Sequence, residues 1–312
     1  MEEKVRMTTR LKELFERPEL FVLVGGVNPI GAKMAELLGF EAFYMSGGNT
    51  AAHLLGLTEG GTSMRDMVDN ARRIALTVDI PVFADMDTGY GDAISVYHTV
   101  REYIQAGVAG AHLEDQTYPP TMAPSRQCIS TEEMVGKLRA AMDAKMELDP
   151  DFVIVARCDF GWVPGATFQD VMERCLAYKE QAGVDVVCPY VKTWEENVEA
   201  IRRIPGPVLP LYTLSKADSR AAGETQEHPT LEDLQEAGAA GAWYPPLSSM
   251  AGLQATWEFL NDFKERGTRA INDFIERSTQ SKWGPATVAL ILGTQRIREM
   301  EEKYLPKESG LD

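Results

Sequence analysis

Eight short apolar runs recur along the chain, each ending in small or polar residues and most followed by a stretch with helical spacing. The runs are Phe21–Val24, Ala42–Met45, Val82–Ala84, Gly110–Leu113, Phe152–Ala156, Val186–Cys188, Val208–Leu211 and Ala242–Trp243. They are apolar throughout rather than alternating, which is the pattern of parallel strands buried on both faces. Helical spacing is found at Ile30–Leu38, Met64–Leu76, Ala93–Gln105, Thr131–Met146, Thr167–Gln181, Glu195–Ile204, Leu231–Glu236 and Leu253–Arg266. Three segments, 105–115, 181–190 and 236–246, repeat one layout: helix end, glycine in a left-handed cap, short loop, strand. Alternating units of this kind predict an α/β fold, a (β/α)8 TIM-type barrel rather than a doubly wound sheet. The glycine pairs at 25–26 and 47–48 make no GxGxxG, which argues against a dinucleotide fold. Beyond about residue 268 helical patterns run on to Leu305 with no strand left to feed. The expected division is a barrel over 1–267 and a helical extension over 268–312, folded on its own barrel or packed on a neighbouring subunit.

Charge narrows the range of partners. Among 312 residues, 47 acidic side chains face 31 basic ones, a formal net charge of −16, so phosphate backbones and anionic lipid are repelled. No nucleic-acid or membrane role is expected. The first twenty residues carry charge throughout, without the apolar core of a secretory signal, and no stretch approaches the length needed to span a bilayer. Cys128, Cys158, Cys175 and Cys188 form no CxxC pair or zinc spacing, and three of them sit in apolar or strand-like runs. A cytoplasmic protein with reduced thiols is the expectation.

In a barrel of this kind functional residues gather at the C-terminal strand ends, so the polar ends of the runs can be read as one site. Asp85 and Asp87 end the third run, and strand alternation would turn both to one side. Glu114 ends the fourth. Three converging carboxylates repel unless protonated or bridged by a cation, and a hard oxygen-seeking ion such as Mg2+ suits them; solvated loop acids or an ion-pair network are the alternative. Arg157 ends the fifth run, where its planar fork fits a substrate carboxylate or a structural partner among the acids. Ser46, Gly47 and Gly48 end the second run, leaving backbone amides open to an oxyanion or forming a plain tight turn. Tyr44 alternates with Ser46 and belongs to either pocket or core. His112 shares the parity of Glu114 and reads as a satisfied interior histidine.

Taken in order and at their spacings, YMSGGNTAAHLLGL, DMDTGYGD, HLEDQ and VIVARCD resemble the isocitrate lyase / phosphoenolpyruvate mutase superfamily, over roughly Phe21 to the C-terminus. The resemblance implies an α/β barrel with a Mg2+ site (Mn2+ as a substitute), in which a small 2-oxo or 2-hydroxy carboxylate chelates the metal. It also implies a homotetramer, a dimer of dimers with C-terminal helices exchanged, and the Lys303-Tyr304-Leu305-Pro306 ending is similar to that of the family's mutases. By matched motif, Asp85, Asp87 and Glu114 would hold the metal. The Ser46-Gly47-Gly48 amides and Arg157 would grip the oxo-carboxylate, and Glu59 falls where relatives place an Asp near the metal.

The chain also departs from the family. Cleaving lyases carry a Lys-Lys/Arg-Cys-Gly-His loop after the Glu-Asp motif; here TYPPTMAPSRQCIS follows, and Cys128 lacks the succeeding Gly-His. Gln116 stands where mutases and phosphonopyruvate hydrolases have Lys. Tyr190 follows the proline ending strand six, in place of a Glu, and Leu211-Tyr212-Thr213-Leu214 replaces Asn-x-Thr-Glu. Tyr190, Tyr212, Thr213 and nearby Trp162 therefore suggest a less polar distal pocket. The reading is a Mg2+-dependent carbon–carbon lyase of 2-oxo or 2-hydroxy dicarboxylates working through a pyruvate-like enolate. It would proceed either by decarboxylation of an oxaloacetate-like acid or by retro-aldol cleavage of the methylisocitrate or dimethylmalate kind, with Tyr44 or Glu59 as base. The alternatives are carbon–phosphorus chemistry on phosphonopyruvate and a non-catalytic binder of 2-oxo acids.

Overall fold

Seven of the eight apolar runs are parallel strands in a computed structural model, which describes residues 5–57, 61–119, 126–211, 229–245, 247–280 and 284–305. They are β1 (Phe21–Gly26), β2 (Ala42–Met45), β3 (Val82–Asp85), β4 (Gly110–Glu114), β5 (Val153–Cys158), β6 (Val186–Pro189) and β7 (Gly241–Tyr244). Their order in the sheet is β6-β5-β4-β3-β2-β1-β7, so the first and last strands in sequence lie side by side and the sheet curls. The eighth run, Val208–Leu211, differs from expectation. It forms a single parallel bridge to Val187, with Leu209 donating to Val187 and Ala240 donating to Val208, both at 2.9 Å. Pro207 and Pro210 have no N–H to give, so the run links β6 to β7 without building a full ladder. The fold is an α/β barrel of the TIM type.

The helices are α1 (Met7–Glu16), α2 (Pro29–Leu37), α3 (Gly47–Leu55), α4 (Met64–Ala75), α5 (Ala93–Ala106), α6 (Thr131–Leu148), α7 (Phe168–Ala177), α8 (Trp194–Arg203) and α9 (Leu231–Ala237). After them come α10 (Leu247–Arg266), α11 (Thr268–Gln280), α12 (Pro285–Leu292) and α13 (Thr294–Tyr304). The three repeated segments behave as their glycines require: Gly107, Gly183 and Gly238 all cap helices at φ of +70 to +86°. Two helices escaped the periodicity. α1 sits in a charged N-terminal stretch, and α3 begins on the Gly47-Gly48 pair that resembles a turn.

Strand alternation splits the core in two. Val24, Phe43, Ala84, Leu113, Ile154 and Val187 face the surrounding helices. Leu23, Tyr44, Phe83, Val155, Cys188 and Trp243 point inward, where Leu11, Leu14 and Phe15 of α1 join them. Phe15 meets Phe21 edge-on at 5.0 Å, placing α1 against the start of β1. Each such aromatic contributes about 1.5–3 kcal/mol by leaving water. The same inward parity, followed to the strand ends, delivers Asp85, His112, Glu114 and Arg157 to one place.

The chain divides into two compact units, Met1–Ser249 and Met250–Asp312. Within the second, Phe259 packs against Phe274 at 5.1 Å, while Leu253, Trp257, Leu260 and Ile275 are exposed. Among the described residues, no helix is long and apolar enough to cross a membrane.

Candidate active site

β3 ends at Asp85, and its neighbours turn polar atoms toward it. Tyr44 of β2 donates its hydroxyl to Asp85 Oδ2 at 3.1 Å, and the Gly47 amide donates to the same oxygen at 2.9 Å. Asp85 Oδ1 accepts the Asp87 amide at 2.8 Å and lies 3.4 Å from His112 Nε2. Because the Tyr44 proton goes to Asp85, its 2.9 Å contact with His112 Nε2 is donated by the ring. His112 Nδ1 is then left buried without a hydrogen-bond partner among the described residues, 3.9 Å from Glu114 Oε1. His112 is therefore not the fully satisfied interior histidine that the sequence suggested.

The amides expected to lie open are the first turn of a helix. Ser46 precedes α3, and Thr50 makes the first intrahelical bond back to it, so the amides of Gly47, Gly48 and Asn49 point out of the helix end. Glycine is required at 47 because a Cβ there would collide with the Asp85 carboxylate. The Gly47 amide is engaged by that carboxylate, which leaves the next two at the positive end of the helix dipole.

Arg157, at the end of β5, is fully paired. Its Nη1 meets Glu114 Oε1 at 2.5 Å, and Nε and Nη2 reach both oxygens of Asp159 at 2.9 and 3.1 Å. Gln116 donates Nε2 to Glu114 at 2.8 Å and to Asp159 at 2.6 Å, binding the two carboxylates together. Its Oε1 is buried with no partner among the described residues. Asp159 and Gln116 were missed in the sequence, although the parity that pairs His112 with Glu114 also pairs Arg157 with Asp159 in RCD.

Asp87 is placed differently from expectation. The strand stops at Asp85, and Asp87 adopts a left-handed φ of +53°, so alternation does not extend to it. Its Oδ1 accepts the Thr88 amide at 2.8 Å. The ligand atoms that converge belong instead to Asp85, His112 and Glu114, all within 4.8 Å of one another.

A cavity of about 450 Å3 opens above this cluster, lined by Tyr44, Ser46, Gly48, Asp85, Arg157 and Pro245 among others. Tyr190 is buried and stacks on Trp162 at 3.9 Å, and neither lines that cavity. Glu59, Tyr212 and Thr213 lie outside the described residues.

Burial acts differently on the two carboxyls. At Glu114 burial pushes the carboxyl well up; Arg157 opposes this, while Asp159, Asp85 and Asp87 add to it. At Asp85 burial also pushes upward, but the neighbouring His112, then Arg157 and the Asp87 amide, outweigh it and hold the group well below the carboxylate range. Burial works against the Arg157 charge, yet Asp159 and Glu114 override it. Burial, and then Asp85, push the Tyr44 hydroxyl far up, so it donates protons and does not serve as a base. Cys128 is also unsuited to proton abstraction: its thiol donates to Asp115 at 3.5 Å, and burial with Asp115 and Asp159 drives it upward.

With no ligand in view, the donor chemistry itself tests the fit of a cation. Two carboxylates of opposed tendency, an unpartnered ring nitrogen and excess negative charge around one guanidinium form a set that a divalent ion would complete.

A family model described as phosphoenolpyruvate phosphomutase matches residues 11–261. The 2,3-dimethylmalate lyase of Eubacterium barkeri is 36% identical over 301 residues, covering 95% of this chain and 97% of that protein. Among solved structures, oxaloacetate acetylhydrolase with the inhibitor 3,3-difluorooxalacetate aligns at a TM-score of 0.82 and 29% identity, covering 95% of this chain and 96% of that one. Phosphonopyruvate hydrolase with oxalate and Mg2+ aligns at 0.81 and 26% identity, covering 97% of this chain and all (100%) of that one. With its strand-end acids, its barrel and a match across most of its length, the chain belongs to the phosphoenolpyruvate phosphomutase family, within the isocitrate lyase / phosphoenolpyruvate mutase superfamily.

Proposed function

We propose that the protein is a Mg2+-dependent carbon–carbon lyase that releases a pyruvate-like enolate from a small 2-oxo or 2-hydroxy dicarboxylate, with Mn2+ able to substitute. The observation that carries this reading is the convergence of Asp85, His112 and Glu114 beneath a cavity edged by Arg157 and the start of α3. Asp85 and Glu114 would hold the cation with His112 beside them, Asp87 being close enough in sequence to join through water. A cation there would neutralise the carboxylates and offset charge developing on the enolate oxygen. The chain's own residues supply the rest. The Gly48 and Asn49 amides and Arg157 orient the substrate carboxylate, and Tyr44 presents a hydroxyl that stays protonated and can return a proton to the enolate. Ser46 and Gly47 keep the helix end against Asp85, while Tyr190, with Trp162, Tyr212 and Thr213, would bound the distal side.

Decarboxylation needs an electron sink and a later proton, both of which these residues provide. Retro-aldol cleavage also needs a base for the hydroxyl, and with Tyr44 and Cys128 unsuited that part falls to Glu59 or a neighbouring segment. The likeness to a 2,3-dimethylmalate lyase supports the retro-aldol form, so the general class is the conclusion and the bond is left to assay. Purified protein with Mg2+ is given oxaloacetate, 2,3-dimethylmalate, 2-methylisocitrate and phosphonopyruvate. Pyruvate is expected from one of the first three, and the co-product (CO2, propionate or succinate) names the bond. Phosphate release from phosphonopyruvate would move the protein to carbon–phosphorus chemistry, and substrate binding without pyruvate would make it a non-catalytic binder.

The exposed apolar side chains of α10 and α11 support assembly through the second unit, as a homotetramer with exchanged C-terminal helices. Sedimentation at a tetramer mass supports this, and a monomer contradicts it. A cytoplasmic location agrees with the free cysteines.

A further inference from the structure

Lys137, on α6, is 2% exposed, and its ammonium makes one hydrogen bond among the described residues, to the Thr88 carbonyl at 3.1 Å. Burying a cation on a single neutral acceptor is costly, and a Met or Leu of similar size would fill the place without that cost. The carboxylates facing it are Glu133 on its own helix, Asp92 at the start of α5 and Asp87, which together offset the burial that pushes the amine downward. Where a chain keeps so unfavourable a group, its contact is the place to look for a role.

That contact is the turn after β3. Asp87, Gly89 and Tyr90 all have positive φ, at +53, +83 and +59°. Two of the three are not glycine, and such backbone costs on the order of 1–3 kcal/mol per residue unless its surroundings hold it. α5 holds two points: Tyr103 donates to the Asp85 carbonyl at 2.7 Å, and Thr99 donates to that of Gly89 at 3.2 Å. Lys137 holds the point between them. From Thr88 the chain of bonds leads straight to the cluster. The Thr88 amide donates to Asp87 Oδ1, the Asp87 amide donates to Asp85 Oδ1, and the Asp87 carbonyl accepts the Glu114 amide at 2.9 Å.

We propose that Lys137 is a positioning residue for the carboxylate cluster: it clamps the Thr88 carbonyl, holds the left-handed turn at Asp87, and so sets Asp85 and Glu114 to receive a divalent cation. The clamp stands on geometry alone, while its consequence for the cation rests on the function proposed above. Two readouts on the full chain keep these apart. In metal-free protein, Lys137→Met is expected to speed amide hydrogen exchange across residues 86–91 at least about tenfold with α6 unchanged, and Lys137→Arg is expected to restore most of the protection. In calorimetry, Lys137→Met is expected to weaken Mg2+ binding about tenfold, and Lys137→Arg to stay within about threefold of wild type. Wild-type exchange at 86–91 in Lys137→Met overturns the clamp. Equal loss in the Met and Arg variants overturns it too, since packing rather than the cation would then be responsible. Unweakened Mg2+ binding with a loosened turn overturns the positioning role. Wild type that binds neither Mg2+ nor Mn2+ overturns the cation reading, and the exchange result then decides the clamp by itself. If Lys137→Met does not fold, Lys137→Gln carries the same comparison.

Discussion

Glu114 and Asp115 are adjacent carboxylates, both buried, both pushed upward chiefly by burial, and they serve opposite sides of the barrel wall. Glu114 turns inward to Arg157, Gln116 and the cluster at Asp85. Asp115 turns outward and is saturated: it accepts the Asp159 amide at 2.7 Å, Tyr178 at 2.8 Å, Arg174 at 3.2 Å and the Cys128 thiol. Every partner of Asp115 is a donor, so nothing remains for a ligand to complete. Around Glu114 further carboxylates crowd in, and an unpartnered ring nitrogen lies nearby. A buried acid with all its donors supplied is part of the frame, and a buried acid in excess of its donors is a site.

The contrast can be broken by substitution. Asp85→Asn keeps the shape of the inward cluster but removes its firmly ionised member, and kcat/KM is expected to fall about a thousandfold or more. Melting in chelator should stay close to wild type; a large loss of stability would return Asp85 to the frame. Asp115→Ala is expected to do the reverse, costing roughly 3 kcal/mol through Arg174 and the Asp159 amide left unpaired. Denaturant unfolding measures that cost, and an unchanged midpoint would contradict it.

A subtler separation comes from pH. With its folded value raised, Glu114 in metal-free protein contributes stability that is fully present below its ordinary value of 4.5 and is lost as pH rises through the folded value. Melting temperatures of metal-free protein should therefore fall less between mildly acid and neutral pH in Glu114→Gln than in wild type. Parallel curves would remove Glu114 as a group that takes up a proton on folding. The smallest effect is expected at Cys128→Ser, within about twofold of wild-type kcat/KM, because the thiol faces Asp115 and not the cavity. A hundredfold loss would restore it as the missing acid or base.

Much of this was legible in the chain. Apolar runs placed the strands, and their inward parity carried His112, Glu114 and Arg157 to a common end. The parity argument failed at Asp87, since nothing in DMDTGYGD announces that the strand stops at Asp85 and the next turn is left-handed. It was left unused at Asp159, where it would have worked. The partners of His112 and Tyr44 depend on register between β2, β3 and β4, which no single run encodes. α3 was hidden because Gly-Gly at a helix start reads as a turn, and the reason for glycine, the closeness of Asp85, exists only in three dimensions. Val208–Leu211 had the composition of a strand, but its prolines withheld the donors a ladder needs.

The central claim is that the inward cluster, and not the outward one, holds a divalent cation. Calorimetric titration of Mn2+ into chelator-treated protein tests it most directly. One site per chain is predicted for wild type and for Asp115→Ala, and none for Asp85→Asn. Unchanged binding in Asp85→Asn, or loss of the site in folded Asp115→Ala alone, would contradict the account.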